Sequence, residues 1–189
     1  SPAGRDRLEL SLGAARGRGI EDQEEPVLRI LPYPHPVLRY ESTPVERVDD
    51  TFRAWVREMF TLMYEAKGIG LAANQVGLPL QFFVINPEAD PNKPELERVF
   101  INPVILKKQS VDEDEEGCLS FPGLYGKVTR AKRVRVQAYG LDGEPFELDA
   151  DSMFARAIQH ELDHVKGRLF IDHLSALSKL TMTPKLKEM

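Results

Sequence analysis

The sequence predicts an α+β domain, with mixed or antiparallel sheets packed around a central helix late in the chain. Three observations lead there. Phe52, Trp55, Val56, Met59, Phe60 and Met63 recur at the spacing of one helical stripe. Stretches 81–85, 99–105 and 133–139 are rich in Val, Ile, Phe and Tyr and read as strands. A second helical stretch follows them, from about Asp151 or Ser152 to about Lys166.

Composition supports a single folded unit. The 189 residues carry 25 Lys and Arg against 30 Asp and Glu, a net charge of −5, and 42% are apolar. At roughly 100–200 residues per domain this is one domain, with enough apolar residues for an ordinary core. The longest apolar runs, such as 82–85, fall far short of the ~20 residues of a membrane span, so no membrane partner is expected. The acidic excess argues against broad nucleic-acid binding, and no specific nucleic-acid readout is expected. Cys118 is the single cysteine, which excludes an intramolecular disulfide.

Taken in order, residues 1–26 read as a loose N-terminal extension. Arg5, Arg7, Arg16 and Arg18 stand among Gly and Ala, and Asp22, Glu24 and Glu25 lead into Pro26. An Arg-rich transit peptide is the alternative, but Asp6 and Glu9 do not suit it. Residues 27–175 form the domain proper. It opens with a short extended segment, 28–31, that runs into a turn fixed by Pro32, Pro34 and Pro36. Asp49 or Asp50 can cap the first helix, and Gly68 suits its end. Asp142-Gly143 marks a hairpin, and Gly167 stops the second helix. Residues 176–189 form a polar tail interrupted by Pro184.

The chemistry starts on the second helix. His160-Glu161-Leu162-Asp163-His164 is an H-E-x-x-H segment. At ~100° per residue the two histidines share a face and can hold one metal ion, making this the metal-bearing helix. Glu161 beside them can accept a proton from a metal-bound water. The plainer reading is two surface histidines on a charged helix.

A third ligand has to come from elsewhere. A metzincin pattern calls for His at position 170, where this chain has Phe170, and the one later Glu is Glu188 in the tail. Upstream, Cys118 lies in Glu115-Glu116-Gly117-Cys118-Leu119-Ser120-Phe121-Pro122-Gly123, a segment that ends in a Pro-Gly turn. A lone Cys is commonly a small buried residue. A Cys/His/His set with an open fourth position is nevertheless a catalytic arrangement. By ligand softness such a set suits zinc, iron, cobalt or nickel. Asp163 and Gln159 either brace the ligands or face solvent.

A third segment, Gly68-Ile69-Gly70-Leu71-Ala72-Ala73-Asn74-Gln75-Val76-Gly77, follows the first helix. Its glycines permit close backbone approach, to another segment or to a ligand. It is not a dinucleotide fingerprint, because the third Gly is missing at the required offset and no strand precedes it.

These three segments, with Tyr33-Pro34-His35-Pro36-Val37-Leu38-Arg39 ahead of them, resemble the peptide deformylase family in order and spacing over about 30–173. The resemblance makes residues 27–175 a catalytic domain and Cys118, His160 and His164 the metal ligands. It implies that a metal-bound hydroxide attacks the formyl carbon of an N-formylmethionyl peptide. Glu161 would be the general acid/base, and formate the product. Gln75, through its side-chain amide, and Leu119, through its backbone N–H, would stabilise the oxyanion. The peptide would lie extended near Gly70 and Gly117, with its methionine against Ile69, Ala157 and the ring of His160, and Tyr125 at the mouth. Fe(II) is the implied ion in the cell, with Zn, Ni or Co as alternatives.

The family also implies a monomer working near the ribosome exit, where Lys179, Lys185 and Lys187 are the basic residues the tail offers. The bacterial cytosol is the expected compartment and an organelle the alternative. Two positions depart from the family's pattern. Asn74 stands where Thr, Ser or Pro is common, and Asp114 where an apolar residue is common. Two other functions compete with deformylation. A generic H-E-x-x-H peptidase lacks its downstream third ligand. A binding protein without turnover would usually have lost Glu161, Gln75 or a ligand, and all are present.

Overall fold

In the computed structural model, which describes residues 27–189, the apolar run Phe82–Ile85 sets the layering; the expected N-terminal extension lies outside the described residues. Side chains alternate along a strand, so Phe82 and Val84 face one way and Phe83 and Ile85 the other. Phe82 and Val84 join the core under helix α1 (Asp50–Glu65), with Phe52, Val56, Met59, Phe60 and Met63. Phe83 and Ile85 join a second core with Phe100, Val134 and Val136 under helix α2 (Ser152–Val165), with Ala155, Ile158 and Leu162. A sheet strand buried on both faces therefore separates the two helices.

The described residues contain one five-stranded antiparallel sheet whose spatial order follows the chain. Its strands are β1 (Gly70–Ala72), β2 (Phe82–Ile85), β3 (Arg98–Cys118), β4 (Phe121–Tyr139) and β5 (Pro145–Asp151). Strands β3 and β4 run much further than 99–105 and 133–139. The extra length is a polar ribbon that hydrophobicity does not reveal. Opposite charges stand across it, with Asp112 opposite Arg130 and Glu115 opposite Lys127.

The hairpin also turns elsewhere than expected. Leu119 and Ser120 make the turn between β3 and β4, and Pro122-Gly123 lies inside β4. Gly117 pairs with Tyr125 and Cys118 with Phe121, so Pro122, Gly123 and Leu124 bulge out with no counterpart on β3. Gly123 takes a left-handed φ of 75° there. The irregularity re-aims Cys118 at the end of its strand.

The helix ends follow capping chemistry. Asp49 accepts the Phe52 N–H at 2.8 Å at the start of α1. At its end the left-handed residue is Lys67, φ 58°, rather than Gly68. Gly68 is needed for space instead, since a Cβ there would stand 2.6 Å from Leu119 Cδ1. α2 ends as expected on Gly167, φ 72°, with the Arg168 N–H on the Asp163 carbonyl at 2.8 Å. The polar tail forms a third helix, α3 (Ala176–Lys187), capped by Ser175 and with Pro184 inside it. Its pattern is weak in sequence because Met182 is buried while Leu177 and Leu180 are exposed. Met182 completes a small third core with Leu31, Leu38, Phe121, Leu169 and Phe170, which lies beside Cys118.

Gly167 gives a direct test of this packing. A Cβ there would lie 2.5 Å from the Arg39 carbonyl oxygen, a backbone atom, in addition to the left-handed strain. Gly167→Ala should destabilise the protein by at least about 2 kcal/mol in denaturant titration. Gly143→Ala, at φ 77° with nothing within 4 Å, should cost only about 1 kcal/mol.

Candidate metal centre

α2 carries His160 and His164 one turn apart on a face that is almost wholly buried. The end of β3 brings Cys118 to them. The Cys118 Sγ lies 3.4 Å from His164 Nε2, which lies 3.2 Å from His160 Nε2. All three ligand atoms fall within 4.8 Å of one another. A tetrahedral ion about 2.0–2.1 Å from nitrogen and about 2.3 Å from sulfur separates its donors by about 3.3 Å (N to N) and about 3.5 Å (N to S). The observed spacings match those edges, so the donor set fits such an ion.

Each histidine is prepared for that role by its surroundings. His160 Nδ1 meets Glu116 Oε2 at 2.8 Å, so Nδ1–H donates to the carboxylate and Nε2 is the nitrogen turned toward His164. Burial, reinforced by the neighbouring His160, pushes His164 well below the ordinary histidine value, which keeps it neutral. Asn74 Nδ2 donates to the His164 backbone carbonyl at 2.6 Å and ties the turn after β1 to α2. His164 Nδ1 has no hydrogen-bond partner among the described residues.

Glu116 is the residue that the sequence patterning hid. It sits in the acidic run before Cys118, yet it is buried while Asp112, Glu113, Asp114 and Glu115 are exposed. Arg130 holds it as a fork, Nε to Oε1 and Nη2 to Oε2, both at 2.9 Å. Arg156 adds Nη1 to Oε1 at 3.1 Å. Burial alone would raise the Glu116 carboxyl, but the hydrogen bonds from Arg130 and His160 carry it well below the usual carboxylate range. Two signals could have found it. It lies two residues before Cys118, a same-face spacing on a strand, and Arg156 sits among apolar residues of a buried helix with no acid three or four residues away to pair with it.

Asp163 and Gln159, the other candidates for bracing contacts, do not touch the ligand side chains. Asp163 pairs with Arg130 and His173. Gln159 holds the backbone of Ala131 on β4 through both ends of its amide. Phe170, where a metzincin has its third histidine, packs edge-on against Phe121 and stacks on the His160 ring.

Glu161 lies on the cleft side of the histidines. A Cβ at Gly70 would stand 3.0 Å from its Oε1 and would press on the carboxyl, so glycine keeps this approach uncrowded. Its Oε2 is buried without a hydrogen-bond partner among the described residues. Burial pushes its carboxyl up to about 7, with His160 opposing.

A cleft of about 740 Å³ opens here, lined by Cys118, His160 and Glu161 together with Ile69, Gly70, Gly117, Leu119, Tyr125 and Ala157. Tyr125 is exposed at its rim. Gln75 and His164 lie behind the cleft wall. Gln75 is 1% exposed; its Oε1 accepts the Ala72 N–H at 2.9 Å, and its Nε2 donates to Ser120 Oγ at 3.1 Å and to Cys118 Sγ at 3.5 Å.

Comparisons with known proteins agree with this geometry. The polypeptide deformylase family model matches residues 27–180. Peptide deformylase of Neisseria gonorrhoeae is 47% identical over 162 residues, 86% of this chain and 95% of that protein. The Pseudomonas aeruginosa enzyme of the same name is 45% identical over 163 residues, with the same coverage. Among solved structures, peptide deformylase from Plasmodium falciparum superposes with a TM-score of 0.82 at 42% identity, covering 85% of this chain and 94% of that one. The Legionella pneumophila enzyme gives 0.80 at 39% identity, covering 86% and 95%. On sequence, on fold and on the site those two build, the chain belongs to the polypeptide deformylase family.

Proposed function

We propose that Cys118, His160 and His164 hold the catalytic ion of this chain and that Glu161 moves the protons of its reaction. Family membership makes the protein a metal-dependent hydrolase that removes the formyl group from newly made polypeptides. The observation that carries the residue assignment is the match of two donor spacings, Cys118 to His164 and His164 to His160, to the edges of a tetrahedral ion, with the third donor pair inside 4.8 Å and Glu161 at the cleft beside them. Thiolate plus two imidazoles suits Fe(II), our assignment for the cell, and also zinc, cobalt or nickel. When bound, the ion supplies Lewis acidity that polarises the formyl oxygen and acidifies water.

The protein's own groups do the rest. Glu161, at about 7, is poised both to take and to give a proton near neutrality. It takes one from the attacking water, the formyl C–N bond breaks, and it returns the proton to the departing amine. Formate and a free N-terminus result. We assign the oxyanion to the Leu119 N–H, next to Cys118 in the chain, and to the Gln75 amide, whose Nε2 lies 3.5 Å from Cys118 Sγ; such donors are worth about 3–4 kcal/mol each.

The substrate fits as an added strand. Among the described residues β1 pairs only with β2, so its other edge carries no strand; its Ala72 N–H is held by Gln75 Oε1, and Gly70 stands beside Glu161. Ile69, Ala157 and the His160 ring offer an apolar wall for the methionine side chain, and Gly117 and Tyr125 border its path. We place the enzyme as a monomer at the ribosome exit, in the bacterial cytosol or an organelle that makes formylated chains, because its substrate exists only on new polypeptides.

Two measurements check this reading. Protein loaded anaerobically with Fe(II) should release formate from a formyl-Met tripeptide, and Glu161→Gln should bind as much iron while kcat falls by about 10²–10⁴-fold. Formate release by that variant at the wild-type rate would remove Glu161 from the reaction. Stripping the ion with a chelator should abolish turnover and lower the thermal midpoint, because the three donors converge only in the folded chain. An unchanged midpoint would mean that the ion does not bind this site.

A further inference from the structure

Arg156 is 4% exposed, lies one helical turn before His160 on α2, and lines the cleft. Its guanidinium makes three hydrogen bonds. Nη1 donates to Glu116 Oε1 at 3.1 Å and to the Val128 carbonyl at 2.8 Å, and Nη2 donates to the Asp112 carbonyl at 2.9 Å. No acceptor lies within its own helix, so the group is fixed by β3 and β4 together.

The two oxygens of Glu116 are divided in an informative way. Oε1 takes Arg130 Nε and Arg156; Oε2 takes Arg130 Nη2 and His160 Nδ1. Arg130 grips the carboxylate from β4. Arg156 and His160 hold its two oxygens from adjacent turns of one helix, so the carboxylate is pinned to α2 at two points. Its orientation toward the imidazole is thereby set by the helix backbone. Opposite charges also meet here: Glu116 faces Arg130 and Arg156, Asp163 faces Arg130, and Asp112 lies 4.0 Å from Arg156.

We propose that Arg156 is a positioning residue for the metal ligand His160, acting through the Glu116 carboxylate that both side chains hold. This assignment rests on reading Cys118, His160 and His164 as metal ligands. Arg156 touches neither the ion's donors nor the reacting atoms. It keeps Glu116 turned so that the His160 ring presents Nε2 toward Cys118 and His164. The rival is a simple staple, in which Arg156 only seats α2 on the ribbon.

A double-mutant cycle separates the two. Zn²⁺ affinity is measured by competition with a chromophoric chelator, and the site is read independently from the visible spectrum of the Co²⁺ form. Arg156→Met should weaken zinc binding about tenfold and shift the cobalt bands, as loss of an outer contact to a ligand histidine does. Glu116→Gln should weaken it by about 10–100-fold. In the Glu116→Gln background, adding Arg156→Met should change affinity by less than roughly twofold, the ordinary limit of additivity.

Equal losses in both backgrounds, or unaltered zinc affinity in folded Arg156→Met, overturn the proposal. Should Arg156→Met not fold, Arg156→Lys takes its place: it keeps a cation but cannot span three acceptors. If both fail to fold while Glu116→Gln folds, the staple is the correct account and the proposal falls. A wild-type chain that binds neither ion sinks the metal reading itself, which a variant as tight as wild type does not.

Discussion

One buried carboxylate, Glu116, is the point through which the strands, the metal-bearing helix and the site are joined. It takes hydrogen bonds from Arg130 on β4, Arg156 on α2 and the ligand His160, all within 3.1 Å. A charge that deep is costly unless its partners are well placed, and breaking such a pair commonly costs about 3–5 kcal/mol. Arg130 also reaches Asp163, which extends the cluster to a second acid. The network is dear to assemble and strict about geometry. It fixes the ring of His160, one of the proposed ligands, through Nδ1.

The rest of the fold brings residues to that cluster from three directions. The doubly buried β2 keeps α1 and α2 on opposite faces and leaves β1 with no strand along one edge beside α2. The β3–β4 ribbon extends past the cores, and its irregular end carries Cys118 to the histidines. Segment 27–40 braces both loops from outside, with the Leu31 N–H on the Gln75 carbonyl at 2.7 Å and the Tyr33 N–H on the Ser120 carbonyl at 2.8 Å. Glycine at 70 then lets the sheet edge approach Glu161. Proton carrier, ligands and substrate edge are thus held by regular elements rather than by mobile loops.

Much of this is legible in the sequence because its signals are local. The stripe from Phe52 to Met63, the Asp142-Gly143 turn, the Gly167 stop and the H-E-x-x-H spacing each declare themselves within one element. The unread parts depend on neighbours far along the chain. The ribbon around 106–116 is polar and is held by cross-strand pairing, so no apolar alternation marks it. Pro122-Gly123 carries turn chemistry but serves a bulge, because Leu119-Ser120 already makes the reversal. Glu116 looks like its exposed neighbours until Arg130 and Arg156 are brought to it. α3 packs through Met182 and the half-buried Leu186 while Leu177 and Leu180 stay exposed, so its apolar pattern is too thin to mark a helix. Gln75 is clear as a candidate donor, yet only the fold shows its amide turned onto Ser120 and Cys118.

The distribution of the donors along the chain has a consequence for the order of synthesis. Cys118 closes a hairpin whose two strands are adjacent in sequence, whereas both histidines come from a helix made roughly 40 residues later. At about 5–20 residues per second the thiol is in place some 2–8 s before its imidazole partners exist. During that interval the proposed donor set is incomplete, and Cys118 has no imidazole beside it with which to retain an ion. Ion capture is therefore among the last events of maturation. On the ligand set proposed above, a molecule of this enzyme can hold its ion only once α2 has been made and has packed against the ribbon.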